Sequence, residues 1–328
     1  MHQLAHKLND YINWRKTAEL LIASLPGAIF AYIFNDQFWF SASLIAVCAI
    51  IPIGTSHQNF FLALLHASYI FAMSILLYYN SEQWLLYLFI LTMMGLIFAV
   101  VETDNPHFKD VSTWTFISVI YISIRLHGRY NFNVGHLGGL YLLILFSIFA
   151  SIISFARYDR ISIHPIIIHH SKVLHYFKYF PPLILSILVW KIYNPPEVEW
   201  FIWASLSVLN IDYQEAKTKM EQRLWGGGFG IALGLLIMPL LPKLAILNYV
   251  FYVLILVSFR LFYKYLHCYI FRCFLIVLFS GVEFQSMGKI RIMSILIGGV
   301  LGLACSWLIS HGDSYLKRHY CRHAAITH

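Results

Sequence analysis

The chain has 328 residues, of which 59% are apolar by type and only 12% are Asp, Glu, Lys or Arg. A soluble domain holds about 25% charged residues, so half that share leaves too little polar surface to solvate a fold of this size. The net charge of +8 follows from where Lys and Arg sit in the loops, and no nucleic-acid partner is needed to explain it.

The first residues are polar and carry Lys7, Asp10, Arg15 and Lys16. The first apolar run begins near Ala18 and has no convincing small-residue cleavage site, so it reads as a retained first helix rather than a signal peptide. A helix needs about 20 mostly apolar residues to cross the hydrocarbon core. Such runs lie at 18–35, 38–55, 60–79, 84–101, 112–126 and 137–156. After a basic connector, 157–178, they resume at 180–194, 199–212, 224–241, 245–263, 266–282 and 291–310. No period-two alternation marks barrel strands. The expected fold class is all-α, a polytopic helical membrane protein with about 12 transmembrane helices as two six-helix repeats, 1–165 and 166–328. The second half ends in a short cytoplasmic tail. With the N-terminus inside, 16 of the 23 Lys and Arg fall in inside segments and 6 outside, which predicts that both termini are cytoplasmic. Each half opens alike, with Asp36-Gln37-Phe38-Trp39 and Glu197-Val198-Glu199-Trp200 leading into its second helix.

One pattern recurs within the second half. Residues 223–234 and 291–302 both read Arg-x2-small-x3-Gly-x3-Gly: Arg223, Gly226, Gly230 and Gly234 in one, Arg291, Ser294, Gly298 and Gly302 in the other. These positions share one helix face, and a face without side chains lets a neighbouring backbone come close. Gly226, Gly230, Gly234, Gly298 and Gly302 are therefore expected to pack helices. The arginines at the two mouths are candidate anion contacts, with Trp200 as an interface or vestibule aromatic. By this topology Arg223 enters from the cytoplasm and Arg291 from outside, so the two three-helix units would be inverted relative to each other.

The stretch Glu199, Trp200, Trp203, Asp212, Ala216, Gln222, Arg223 and the Gly-rich helix after it resembles the fusaric acid resistance (FUSC) family, to which the aromatic acid exporters belong. The resemblance is clear over 180–310, including 291–302, and weaker over 10–157, where the third helix opens without the Arg and Gly element. It implies a bacterial inner-membrane exporter of small organic, often aromatic, acids. A periplasmic adaptor protein is an implied partner, beside the lipid bilayer and the organic anion itself, and a homo-oligomer is a further candidate assembly. The related plant malate channels pair six-helix subunits, which implies one central path between the halves here.

Other constellations point less sharply. His164, His169, His170 and His175 cluster in the connector at irregular spacing, which reads as an interface segment rather than a metal site. His66 and His136 read as packed histidines, with proton coupling as the alternative. Glu102 reads as part of a solvated turn. Asp212 and Glu215, just after a span, are candidate partners of Arg223 or Lys219, as a structural pair or a gate. The five cysteines read as small buried hydrophobes. No GxxxxGK[ST] element for nucleotide use and no catalytic signature occurs. The expectation is a transporter, not an enzyme, without cofactor. The open alternatives are an anion channel of the same fold and a membrane-embedded enzyme or assembly subunit.

Overall fold

The computed structural model describes residues 11–36, 38–56, 60–105, 108–129, 134–155, 172–193, 198–242, 244–280 and 293–326. Among these, the first half supplies α1 (Trp14–Phe34), α2 (Phe38–Ser56), α3 (Phe60–Tyr79), α4 (Trp84–Asp104), α5 (Lys109–Arg129) and α6 (Val134–Phe155). A one-turn helix, Val173–Tyr176, leads into α7 (Phe180–Tyr193), followed by α8 (Val198–Val208), α9 (Tyr213–Ile237), α10 (Ala245–Val257) and α11 (Tyr265–Ser280). A π-helical turn, Ser294–Gly298, opens α12 (Gly299–Ile326).

Six of these stretches are long and apolar enough to cross a membrane, and six more apolar helices are shorter. The chain is thus a multi-pass helical membrane protein. Its packing agrees: large apolar side chains such as Ile29, Ile33, Phe61, Phe89, Leu236 and Leu308 are exposed, on a scale that suits lipid rather than water. The interior holds hydroxyls among its buried apolar side chains. Tyr87 and Ser123 are bonded at 2.7 Å, His66 and Thr115 at 2.6 Å, and Ser186 and Ser205 at 3.2 Å. Such bonds between helices are a usual glue in membrane bundles.

Helix limits differ from the hydropathy runs for local reasons. α9 starts at Tyr213, well before its apolar run, because the Asp212 side chain accepts from the Gln214 N–H at 2.8 Å and caps it. α12 continues as a helix far beyond Ser310 into what reads as a tail. α10 stops at Val257, where Ser258 caps it.

α2 lies at the centre of the first half: every residue from 41 to 52 is buried. Its small residues, Ser41, Ala42, Ser43, Ala46 and Ala49, let α1, α5 and α6 pack close to it. α8 holds the matching place in the second half, against α7, α9 and α12. The halves meet where α5 packs on α8, α4 on α7 and α1 on α10.

The start of α1 is tied to the loop before α11. Ile12 and Phe262 form an antiparallel bridge, with Asn13 N–H donating to the Leu261 carbonyl at 2.8 Å and Tyr263 N–H to that of Tyr11 at 3.2 Å. Lys109 meets Glu215 at 3.7 Å, and His175 meets Asp313 at 3.4 Å. These contacts gather at one end of the bundle, the Asn13 end.

Candidate functional site

Arg223 stands where the polar turns of α9, residues 213–222, give way to apolar ones. It is buried on the same helix face as Gly226, Gly230 and Gly234, and that face lies against α11. A Cβ on Gly226 would come within 3.0 Å of the Tyr269 ring, and one on Gly234 within 2.6 Å of the Val277 Cβ. A Cβ on Gly230 would strike the Ile270 carbonyl. α12 meets α8 in the same manner: a Cβ on Gly298 would lie 2.8 Å from that of Ala204, and one on Gly302 would strike the Ser205 carbonyl. The two glycine faces thus seat α9 on α11 and α12 on α8.

Between α8, α9, α11 and the π-helical turn lies a narrow cavity of about 20 Å³, lined by Trp200, Trp203, Ala204, Arg223, Tyr269, Arg272 and Ser294. That is room for about one water. Arg223 is 6% exposed and Arg272 5%. The Arg223 Nε donates to the Tyr265 hydroxyl at 2.8 Å and its Nη1 to the Ala204 carbonyl at 3.3 Å. Arg272 donates twice to Ser258, from Nε to Oγ at 3.2 Å and from Nη2 to the carbonyl at 3.3 Å. Ser258 is the C-cap of α10, so Arg272 faces the negative end of that helix dipole. Its Cζ also lies 4.0 Å from the Phe259 ring centroid. Both guanidiniums lie over Tyr269, at 5.5 and 5.8 Å. Trp200 and Trp203 stack at 4.8 Å with planes 24° apart, and form an aromatic wall. Among the described residues, neither arginine pairs with a carboxylate.

Trp203 also lines a second small cavity, with Glu199, Tyr121, Ile117, Ile120 and Leu206. Glu199 is 6% exposed. One indole therefore stands between the arginine cavity and a buried carboxyl group.

Of the residues singled out in the sequence, Arg223 and Trp200 come together in the cavity. Arg291 lies outside the described residues, as do His164, His169 and His170. Arg272 is the one Lys or Arg of the 23 that falls in neither the 16 inside nor the 6 outside, because it lies within the run 266–282, and a charge in the membrane is itself a signal. Trp203 belongs to the stretch that carries the family resemblance, whereas Tyr265 and Tyr269 carry no signal of their own. Asp212 and Glu215 do not pair with Arg223: Asp212 caps α9, and Glu215 accepts from Asn210 at 2.5 Å and meets Lys109. The solvated-turn reading of Glu102 is also corrected. Its side chain is 4% exposed, pairs with Lys178 and accepts from the Tyr179 hydroxyl at 2.7 Å. His136 lies 3.2 Å from Asp36 at the opposite end of the bundle.

The family model described as fusaric acid resistance protein-like matches residues 184–305, in agreement with the resemblance read from the same stretch. The whole cavity lies inside the matched region. No curated protein and no solved structure matches the chain.

Proposed function

We propose that the chain is a secondary exporter of small organic acids, aromatic ones among them, and that the cavity holds the substrate's anionic group in transit. One observation supports this reading: two buried guanidiniums share a cavity, and among the described residues no carboxylate pairs with either. Each has five N–H donors and uses two on protein acceptors. The remaining donors suit an oxyanion. A buried ion costs several kcal/mol in lost hydration. A bound carboxylate offsets that cost through short, bidentate hydrogen bonds. The stacked Trp200 and Trp203 offer flat apolar surface for an aryl group.

The distribution of basic residues supports placing the Asn13 end in the cytoplasm of a bacterial inner membrane. We read the two halves as repeats because helix pairs recur six helices on. The α1–α2, α2–α6, α3–α5, α3–α6 and α4–α5 contacts reappear as α7–α8, α8–α12, α9–α11, α9–α12 and α10–α11. Export against a gradient needs an energy source, and the sequence has no nucleotide-binding element. The proton gradient is the driver in this reading, and Glu199 is the group placed to carry the proton.

The test is uptake of labelled aromatic and aliphatic carboxylates into proteoliposomes, with and without a pH gradient. Wild-type flux is expected to saturate and follow the gradient. Arg223→Ala and Arg272→Ala lose most of it at substrate levels that half-saturate the wild type, and Glu199→Gln keeps saturable flux that ignores the gradient. Wild-type flux that neither saturates nor follows the gradient, yet needs both arginines, supports the channel of the same fold. Arginine variants that transport as well as wild type overturn the site.

A further inference from the structure

An open groove of about 470 Å³ lies at the Asn13 end, lined by Gln214, Glu215, Thr218, Lys219, Gln222 and Tyr265. Tyr265 faces this groove, Arg223 faces the narrow cavity, and their 2.8 Å hydrogen bond stands between the two spaces. Tyr265 is the first residue of α11, directly after the irregular segment 258–264. Its ring stacks on that of Tyr269 at 5.8 Å, and Tyr269 lines the cavity. Lys219 Nζ lies 5.9 Å from the Tyr265 ring centroid, which puts a cation at the rim of the groove.

From this arrangement we infer that the groove is the vestibule through which an anion reaches the arginine cavity, and that Tyr265 is its gate. With Tyr265 in place, the cavity holds about one water and the Arg223 Nε is occupied. When the ring swings toward the groove, the wall opens and the Nε donor is released. Opening the gate and completing the anion site are then one movement. Lys219 draws an anion to the rim, and Arg223 takes it over as the tyrosine leaves. The inference rests on the anion reading of the cavity, but the gate has a test that does not need transport.

The experiment uses full-length protein with its five cysteines replaced by serine and Ser294→Cys as a reporter inside the cavity. A membrane-impermeant methanethiosulfonate is added to vesicles with the Asn13 end outward, and the rate of labelling is read by gel shift. Tyr265→Ala is expected to speed labelling roughly tenfold or more, the factor for losing one hydrogen bond to a charged group together with its ring. Tyr265→Phe keeps the ring, loses the hydroxyl and is expected to fall between. Unchanged thermal unfolding in detergent confirms that each variant is folded. Equal labelling rates in folded Tyr265, Phe and Ala proteins overturn the gate. A gated rate that added benzoate and acetate leave unprotected keeps the gate and overturns the anion reading instead.

Discussion

Charge is buried in two places in this bundle, and the two are built differently. Where α4 meets the start of α7, Glu102 and Lys178 neutralise each other, with Tyr179 completing the carboxylate and Ser112 sharing the Tyr179 hydroxyl at 3.0 Å. Between α8 and α11, Arg223 and Arg272 are held by a tyrosine, a serine and two carbonyls. The first set is complete within the chain and serves to hold the halves together. The second fixes two cations in place with no carboxylate partner among the described residues, which suits the anion site proposed above. Burial alone therefore does not tell the two kinds of site apart, and the criterion that does is whether the charge is neutralised by a partner.

Supplying the missing anion from within should erase the difference. Ser294→Asp places a carboxyl group in the arginine cavity. It is expected to take carboxylate uptake to background while raising the unfolding temperature in detergent, as the site becomes a second structural pair. Breaking the paired site should do the reverse. Glu102→Gln leaves Lys178 buried without its partner and is expected to cost about 3–5 kcal/mol of stability. Adding Lys178→Met should recover most of it, with flux per folded molecule close to wild type in the double variant. Removing one cation from the unbalanced site acts on the substrate. Arg223→Ala or Arg272→Ala is expected to raise the half-saturating concentration roughly 10- to 100-fold, the range for lost hydrogen bonds to a charged group. A neutral bond away from both sites sets the baseline. Tyr141→Phe gives up the 3.1 Å bond to Ser68 and should cost about 0.5–1.5 kcal/mol in thermal unfolding, with uptake unchanged.

The two halves differ at the same point. α5 packs directly on both α2 and α8, whereas α11 packs on α9 and α10 but is not closely packed on α8 or α2 among the described residues. Under the repeat reading proposed above, the place α5 fills in the first half, with Ser118 and Tyr121 buried, corresponds to that of the arginine cavity in the second. Much of this was legible in the sequence. The twelve apolar runs, the glycine faces, Arg223 and Trp200 all follow from composition, periodicity and spacing. Arg272 was legible as well, but counting loop charges passes over a charge inside a run. Glu102 and Lys178 were not, because they are 76 positions apart and no local pattern reports which helix ends meet. Tyr265 and Tyr269 were hidden for the same reason: aromatic residues are abundant throughout the chain, and only the close approach of α9 to α11 brings these two to Arg223.

The short bridge between Ile12 and Phe262 also bears on how the molecule is made. Its two sides lie 250 positions apart, so at about 5–20 residues per second the ribosome needs on the order of 10–50 s to deliver the second after the first. For that time the leading segment has no strand to pair with. The walls of the arginine cavity come from α8, α9, α11 and the turn before α12, so they too are complete only once residue 294 has been made. A nascent chain that stalls before α11 carries Arg223 in a bilayer without its Tyr265 acceptor, without Tyr269 and without the anchored first helix.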